Sequence, residues 1–190
     1  RPRPEHRLCA PVLRSLRAFG PQDAADGTFE VVALLAASEN TPRGAPRHLA
    51  LCYRFRGDGA TLEVSLDWFD KEAVRLPEAL WLSFDLASAA AAPCRRVKLG
   101  LELDPTDTVS GGARHIHAVE ALRRGGTELR PLDSPLVSFG ERKLLRYDEL
   151  PAATDGPVHC CLYNNIWGTN FPLWYGEDGR SRFILRWEER

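Results

Sequence analysis

His115 and His117 stand two residues apart, a spacing that bears on metal chemistry. Successive side chains of an extended strand alternate between faces, so both imidazoles would share one face and could supply two ligands of a zinc site. A third ligand is missing from the neighbouring sequence. His159, Cys160 and Cys161 would have to reach the pair through a tertiary contact, and paired strand histidines also serve as hydrogen-bonding partners on a polar face. No metal ligand is therefore assigned, with His115 and His117 kept as the candidates. No cofactor is expected in this chain.

Nucleophile patterns are scarce. The sequence has no Gly-x-Ser-x-Gly elbow, no phosphate-cradling glycine loop and no His-Glu-x-x-His. His159 and Cys160 are adjacent, so in a strand they point to opposite faces and cannot act as a base and thiol pair. Carboxylates such as Asp104, Asp107, Asp133, Glu177 and Asp178 are plentiful, but a glycosidase pair is defined by separation in space. No catalytic residue is nominated.

The densest local signal is the run Tyr163 to Tyr175, which holds five of the chain's 17 aromatics together with Asn164, Asn165, Thr169 and Asn170. Aromatic faces pack on sugar C–H surfaces, and planar amides both donate to and accept from vicinal hydroxyls. Asn164, Asn165, Trp167, Thr169, Asn170 and Trp174 are accordingly the candidate carbohydrate-binding residues. Alternatively, Trp167 and Trp174 plug the end of a sandwich while the asparagines satisfy turn backbone, and the two roles are compatible.

These residues need a scaffold, and period-two alternation supplies it. Leu62, Val64, Leu66 and Trp68 alternate with Thr61, Glu63, Ser65 and Asp67. His48 to Arg56 alternates too, and Gly57-Asp58-Gly59 joins the two runs as a hairpin. Further strands are expected at Thr28 to Leu35, Leu80 to Leu86, Arg96 to Leu103, Ala113 to Leu122, Thr127 to Leu132, Lys143 to Tyr147, Val158 to Tyr163 and Arg182 to Trp187. Gly125-Gly126 suits a second hairpin. About ten strands with no long amphipathic helix imply an all-β fold, a large antiparallel β-sandwich over residues 28–190. Residues 1–27, with five Arg and early prolines, are expected to be a connector or edge segment. Ala87 to Ala92 has helix-forming composition ended by Pro93, and is expected to cross between sheets.

Composition narrows the partners of the 190-residue chain. Lys plus Arg is 25 against 26 for Asp plus Glu, leaving a net charge of −1 and no basic excess for nucleic acid. The longest apolar run, Val31 to Ala37, is far below the ~20 residues of a membrane span. Five cysteines, two of them adjacent, form no disulfide framework, which favours a reduced, cytoplasmic setting. The absence of Met, even at position 1, reads as a piece of a longer protein.

The run Asn164 to Tyr175 (Asn-Asn-x-Trp-Gly-Thr-Asn-Phe-Pro-x-Trp-Tyr) resembles the C-terminal end of an uncharacterised branch of glycoside hydrolase family 38-like proteins, relatives of the α-mannosidases. Trp68 to Lys71, Leu76 to Phe84, Gly111 to Val119 and Leu132 to Val137 fit in the same order. The resemblance spans roughly Gly44 to Arg186. It implies a C-terminal sandwich of the galactose mutarotase-like supersandwich type, beside an N-terminal catalytic α/β barrel that carries any zinc, the aspartate nucleophile and the acid/base. Those barrel motifs are absent from this sequence. The expected function is thus an accessory sandwich, inactive alone, that supports a barrel and contributes to carbohydrate binding. The alternative is an independent carbohydrate-binding or domain-docking module.

Overall fold

The computed structural model describes residues 6–20, 26–38, 44–86, 92–144, 153–166 and 174–188. It is an all-β structure of two antiparallel sheets, with no helix among the described residues. In chain order the strands are β1 (Val12–Phe19), β2 (Phe29–Ala36), β3 (His48–Phe55), β4 (Thr61–Phe69), β5 (Ala79–Phe84), β6 (Arg95–Lys98), β7 (Leu101–Leu103), β8 (His117–Ala118), β9 (Ala121–Arg124), β10 (Thr127–Pro131), β11 (Leu136–Phe139), β12 (Val158–Asn164) and β13 (Gly179–Trp187). Among the described residues the larger sheet has nine strands in the order β1-β2-β3-β4-β13-β10-β9-β6-β7, and the smaller has four in the order β5-β12-β11-β8.

Alternation in β4 predicts its buried face, and Val64, Leu66 and Trp68 are 2–4% exposed. Register carries this face sideways to Leu49, Leu51 and Tyr53 of β3 and to Phe183 and Leu185 of β13. The small sheet answers with Leu82, Phe84, Val137, Phe139, Val158 and Cys160. Burying each large aliphatic or aromatic side chain in this layer contributes roughly 1.5–3 kcal/mol.

Turn chemistry fixes the hairpins. Between β3 and β4, the Asp58 carboxylate accepts from the backbone N–H groups of Ala60 and Thr61 and from the Thr61 hydroxyl. These hydrogen bonds hold its pKa below the ordinary carboxylate value. Gly125 and Gly126, with φ of 55° and 79°, join β9 to β10 as the two-glycine step predicts.

The structure differs from the sequence reading at three places. Arg96 to Leu103 is not one strand. The chain reverses at Leu99 and Gly100, whose φ values are 52° and 74°, and β6 pairs with β7. Glu120 stabilises the reversal by accepting from both of their N–H groups. Ala113 to Leu122 is not one strand either, because β8 belongs to the small sheet and β9 to the large. Of the strand expected over Lys143 to Tyr147, Lys143 and Leu144 are not in a strand, and the rest lies outside the described residues, as do Ala87 to Ala91. Within the segment read as a connector or edge, residues 12–19 form an edge strand paired with β2.

Candidate functional site

One end of the sandwich gathers four short pieces of chain: the end of β4, the strap 70–78, the end of β12 and residues 174–178. A β-bulge between Cys161 and Tyr163 builds it. Before the bulge Cys160 faces inward opposite Leu82. The inserted residue turns Tyr163 inward as well, opposite Leu80 and against Trp68 at 5.8 Å between ring centroids. Tyr175 stacks on Tyr163 at 5.1 Å. The Trp68 indole N–H donates to the Glu177 carbonyl at 3.2 Å, tying the 174–178 segment to β4. Gly179 follows because an added Cβ would lie 2.2 Å from the Trp68 ring.

Under this aromatic stack lies Lys71, whose side chain is 0% exposed. Its ammonium donates to Glu78 Oε1 at 2.5 Å, to the Tyr175 carbonyl at 2.6 Å and to the Glu72 carbonyl at 3.1 Å. It also sits 5.0 Å from the Tyr163 ring centroid and 5.8 Å from that of Tyr175. All three ammonium hydrogens have acceptors, so Lys71 fastens the strap to the 174–178 segment and offers no donor to a ligand. Burial raises the pKa of Glu78 despite the lysine, which pulls the other way. Burial likewise pushes the Tyr163 phenol far above its usual range.

The predicted tail residues divide sharply. Asn165 is 3% exposed. Its side-chain oxygen accepts from the Glu78 N–H at 2.7 Å, and its amide nitrogen donates to the Leu76 and Val74 carbonyls at 2.8 and 3.2 Å. It clamps the strap in the manner of a strand partner. Asn164 folds over its own turn, accepting from the Ile166 N–H at 3.1 Å, with its amide nitrogen 3.8 Å from Cys161 Sγ. Trp174 is 49% exposed, with the Arg75 guanidinium 4.7 Å from its ring centroid. Trp167, Thr169 and Asn170 lie outside the described residues. The corner thus presents a half-exposed indole and a cation on a scaffold immobilised by Lys71, Glu78 and Asn165. Sequence reasoning missed Lys71, Arg75 and Glu78, because Asp70-Lys71-Glu72 looks like an ordinary solvated charge run.

His115 lies outside the strand, so period-two alternation does not set the relation between the two histidines. His115 and His117 are 3% and 4% exposed, and His117 alone lies in a strand. His117 Nε2 donates to the Arg114 carbonyl at 3.2 Å, and Nδ1 accepts from Arg96 at 3.4 Å, so neither nitrogen is left for a metal. Burial, and secondarily the Arg96 charge, lowers the His117 pKa to about 4. Arg96 also donates to the Asp104 and Asp107 carbonyls and helps line a cleft of about 650 Å³ with Lys98 and Thr108. Among the described residues no group of three or more His, Cys, Asp or Glu is placed to hold a metal ion.

His159 bonds Ser83 through Nδ1 at 2.7 Å and the Gly140 carbonyl through Nε2 at 3.0 Å. Its orienting partner is therefore a neutral backbone carbonyl. Burial pushes the Cys160 thiol up to about 12 and the Cys161 thiol up to about 11, so both are packing residues at neutral pH.

Comparison with family models, curated proteins and solved structures finds no match to this chain. The fold and site define it as an all-β sandwich with an aromatic end corner. No helix among the described residues is long and apolar enough to cross a membrane.

Proposed function

We propose that the chain is the non-catalytic sandwich portion of a glycoside hydrolase-like, α-mannosidase-related protein, supporting a separate catalytic barrel and contacting saccharide through the Trp174 corner. The observation that carries the saccharide contact is Trp174, half exposed beside Arg75 on a corner whose polar groups are otherwise committed. An indole face of this kind matches the C–H surface of a pyranose, while Arg75 supplies donors for ring hydroxyls. The support role rests on the tail-motif resemblance and on the commitment of Lys71, Glu78, His117 and His159 to internal hydrogen bonds.

The test is titration of the chain with α-linked manno-oligosaccharides, followed by tryptophan fluorescence and calorimetry. Trp174→Ala is expected to weaken binding by about tenfold or more, with the thermal midpoint little changed. Equal affinity in Trp174→Ala and wild type would remove the corner as the sugar contact. Release of nitrophenol from an aryl α-mannoside by the isolated chain would overturn the non-catalytic reading.

A further inference from the structure

At the far edge of the large sheet, β6 and β7 meet β8, the last strand of the small sheet, through the contact of Arg96 with His117. Alternation puts Arg96 and Lys98 on one face of β6, and register brings Leu103 of β7 beside Arg96 on that face. The facing wall is the stretch 104–116. It is a built wall: Asp104 accepts from the Thr106 N–H and hydroxyl at 2.9 and 2.6 Å, Pro105 is fully buried, and the Gly112 N–H donates to the Val109 carbonyl at 3.0 Å. Between strand and wall lies the cleft of about 650 Å³. That volume falls in the range of small-molecule sites, roughly 300–1,000 Å³. None of its lining residues belongs to the Trp174 corner.

The cations of this cleft are not spent. Arg96 is 7% exposed and donates to the Asp104 and Asp107 carbonyls and to His117 Nδ1, which uses three of a guanidinium's five N–H groups. All three acceptors are uncharged. The neighbouring carboxylates are committed elsewhere, Asp104 to Arg95, Glu102 to Arg123 and Glu120 to the N–H groups of Leu99 and Gly100. Among the described residues neither Arg96 nor Lys98 therefore forms an ion pair. On the loop wall, the Thr108 hydroxyl is buried without a hydrogen-bond partner, a loss of hydration that only a new partner offsets. Asp107 is the single acidic residue of the lining, so two cations leave one positive charge in excess. The Lys71 corner is the opposite case, with every ammonium hydrogen already accepted.

We propose that this cleft is a binding site for a small monocarboxylate with an apolar body. The carboxylate takes the two unspent N–H groups of Arg96 and the Lys98 ammonium, and charge-assisted hydrogen bonds of this kind are about twice as strong as neutral ones. The Thr108 hydroxyl is a further donor. Leu103, Val109 and Ile116 cover the body of the ligand, and Val109, 79% exposed, gains the apolar neighbour it lacks. One excess positive charge matches one carboxylate and leaves the second charge of a phosphomonoester without a partner.

Titration of the 190-residue chain with benzoate, benzyl alcohol and phenyl phosphate, followed by calorimetry and by the NMR shifts of the Val109 and Ile116 methyls, tests the proposal. Circular dichroism confirms that each variant is folded. Benzoate is expected to bind with a dissociation constant below about 1 mM and to move both sets of methyls, with benzyl alcohol about tenfold weaker or more. Phenyl phosphate is expected to bind no more tightly than benzoate. Lys98→Gln, an exposed position, is expected to weaken benzoate by about tenfold. Arg130→Gln removes the same charge from a residue already paired with Glu128 at 3.2 Å and is expected to leave benzoate affinity unchanged. Four outcomes would overturn the proposal: no benzoate binding up to about 10 mM; equal affinity for benzoate and benzyl alcohol; tighter binding of phenyl phosphate than of benzoate; or equal effects of Lys98→Gln and Arg130→Gln.

Discussion

Lys71 and Glu78 sit seven residues apart on one strap and share a 2.5 Å hydrogen bond beneath two tyrosine rings. The raised pKa of Glu78 shows that loss of hydration outweighs the attraction of the lysine. The pair therefore fixes where the strap lies more than it lowers the energy of the fold.

Breaking only one partner should be costly. Lys71→Met leaves the Glu78 carboxylate buried without its cation and is expected to cost about 3–5 kcal/mol at neutral pH, while Lys71→Met with Glu78→Leu recovers much of that loss. Urea denaturation of the two variants measures it. A single-variant loss below about 1 kcal/mol would show that water reaches the pair.

Neighbouring substitutions in the β6–β7 turn should act in opposite directions. Leu99 is 82% exposed and held at φ 52°, a conformation that penalises a branched side chain, so Leu99→Asn is expected to stabilise by roughly 0.5 kcal/mol. Gly100→Ala meets no atom within 4 Å of its new Cβ, yet φ of 74° makes it destabilising by about 1 kcal/mol. Thermal midpoints of both variants decide the matter, and a shared sign would contradict the turn geometry.

Acid should weaken the fold through His117. Its folded pKa of about 4 lies below the ordinary 6.5, so the unfolded chain binds the proton more readily between those values. The stabilisation is complete above pH 6.5 and drains away as pH falls toward 4, by roughly 3 kcal/mol. Imidazole NMR titration tests the cause directly, and a His117 pKa above 6 would sink it. His159, also lowered by burial, adds to the same slope, so His117→Asn should reduce the pH dependence without abolishing it.

Strict alternation made β3, β4 and most of β13 legible, because a one-residue slip would turn Val64 and Leu66 out of the core. Alternation could not announce the reversal at Leu99, since it continues unbroken on both sides and leucine is no turn residue. The same blindness joined β8 to β9, where the chain leaves one sheet for the other between His117 and Ala121. Strand β11 is four residues long and too short for a period to register. In the tail, residue type singled out polar and aromatic side chains, but not the division of labour among Asn164, Asn165 and Trp174. Asn165 spends its amide on backbone groups some ninety positions earlier in the chain, and nothing local encodes that.

The place of β13 in the large sheet has a consequence for how the chain acquires its structure. Strands β1 to β4 form a meander of neighbours, yet the groups on the far side of β4 are answered only by residues 179–187. Between them lie the entire small sheet and the other half of the large one. A growing polypeptide must therefore hold Val64 and Leu66 beside an open edge until more than a hundred further residues have been made. Late closure of this kind favours slow folding and exposes the half-built sheet to mispairing, and the first residue of the closing strand, Gly179, leaves no room for a side chain beside the Trp68 ring.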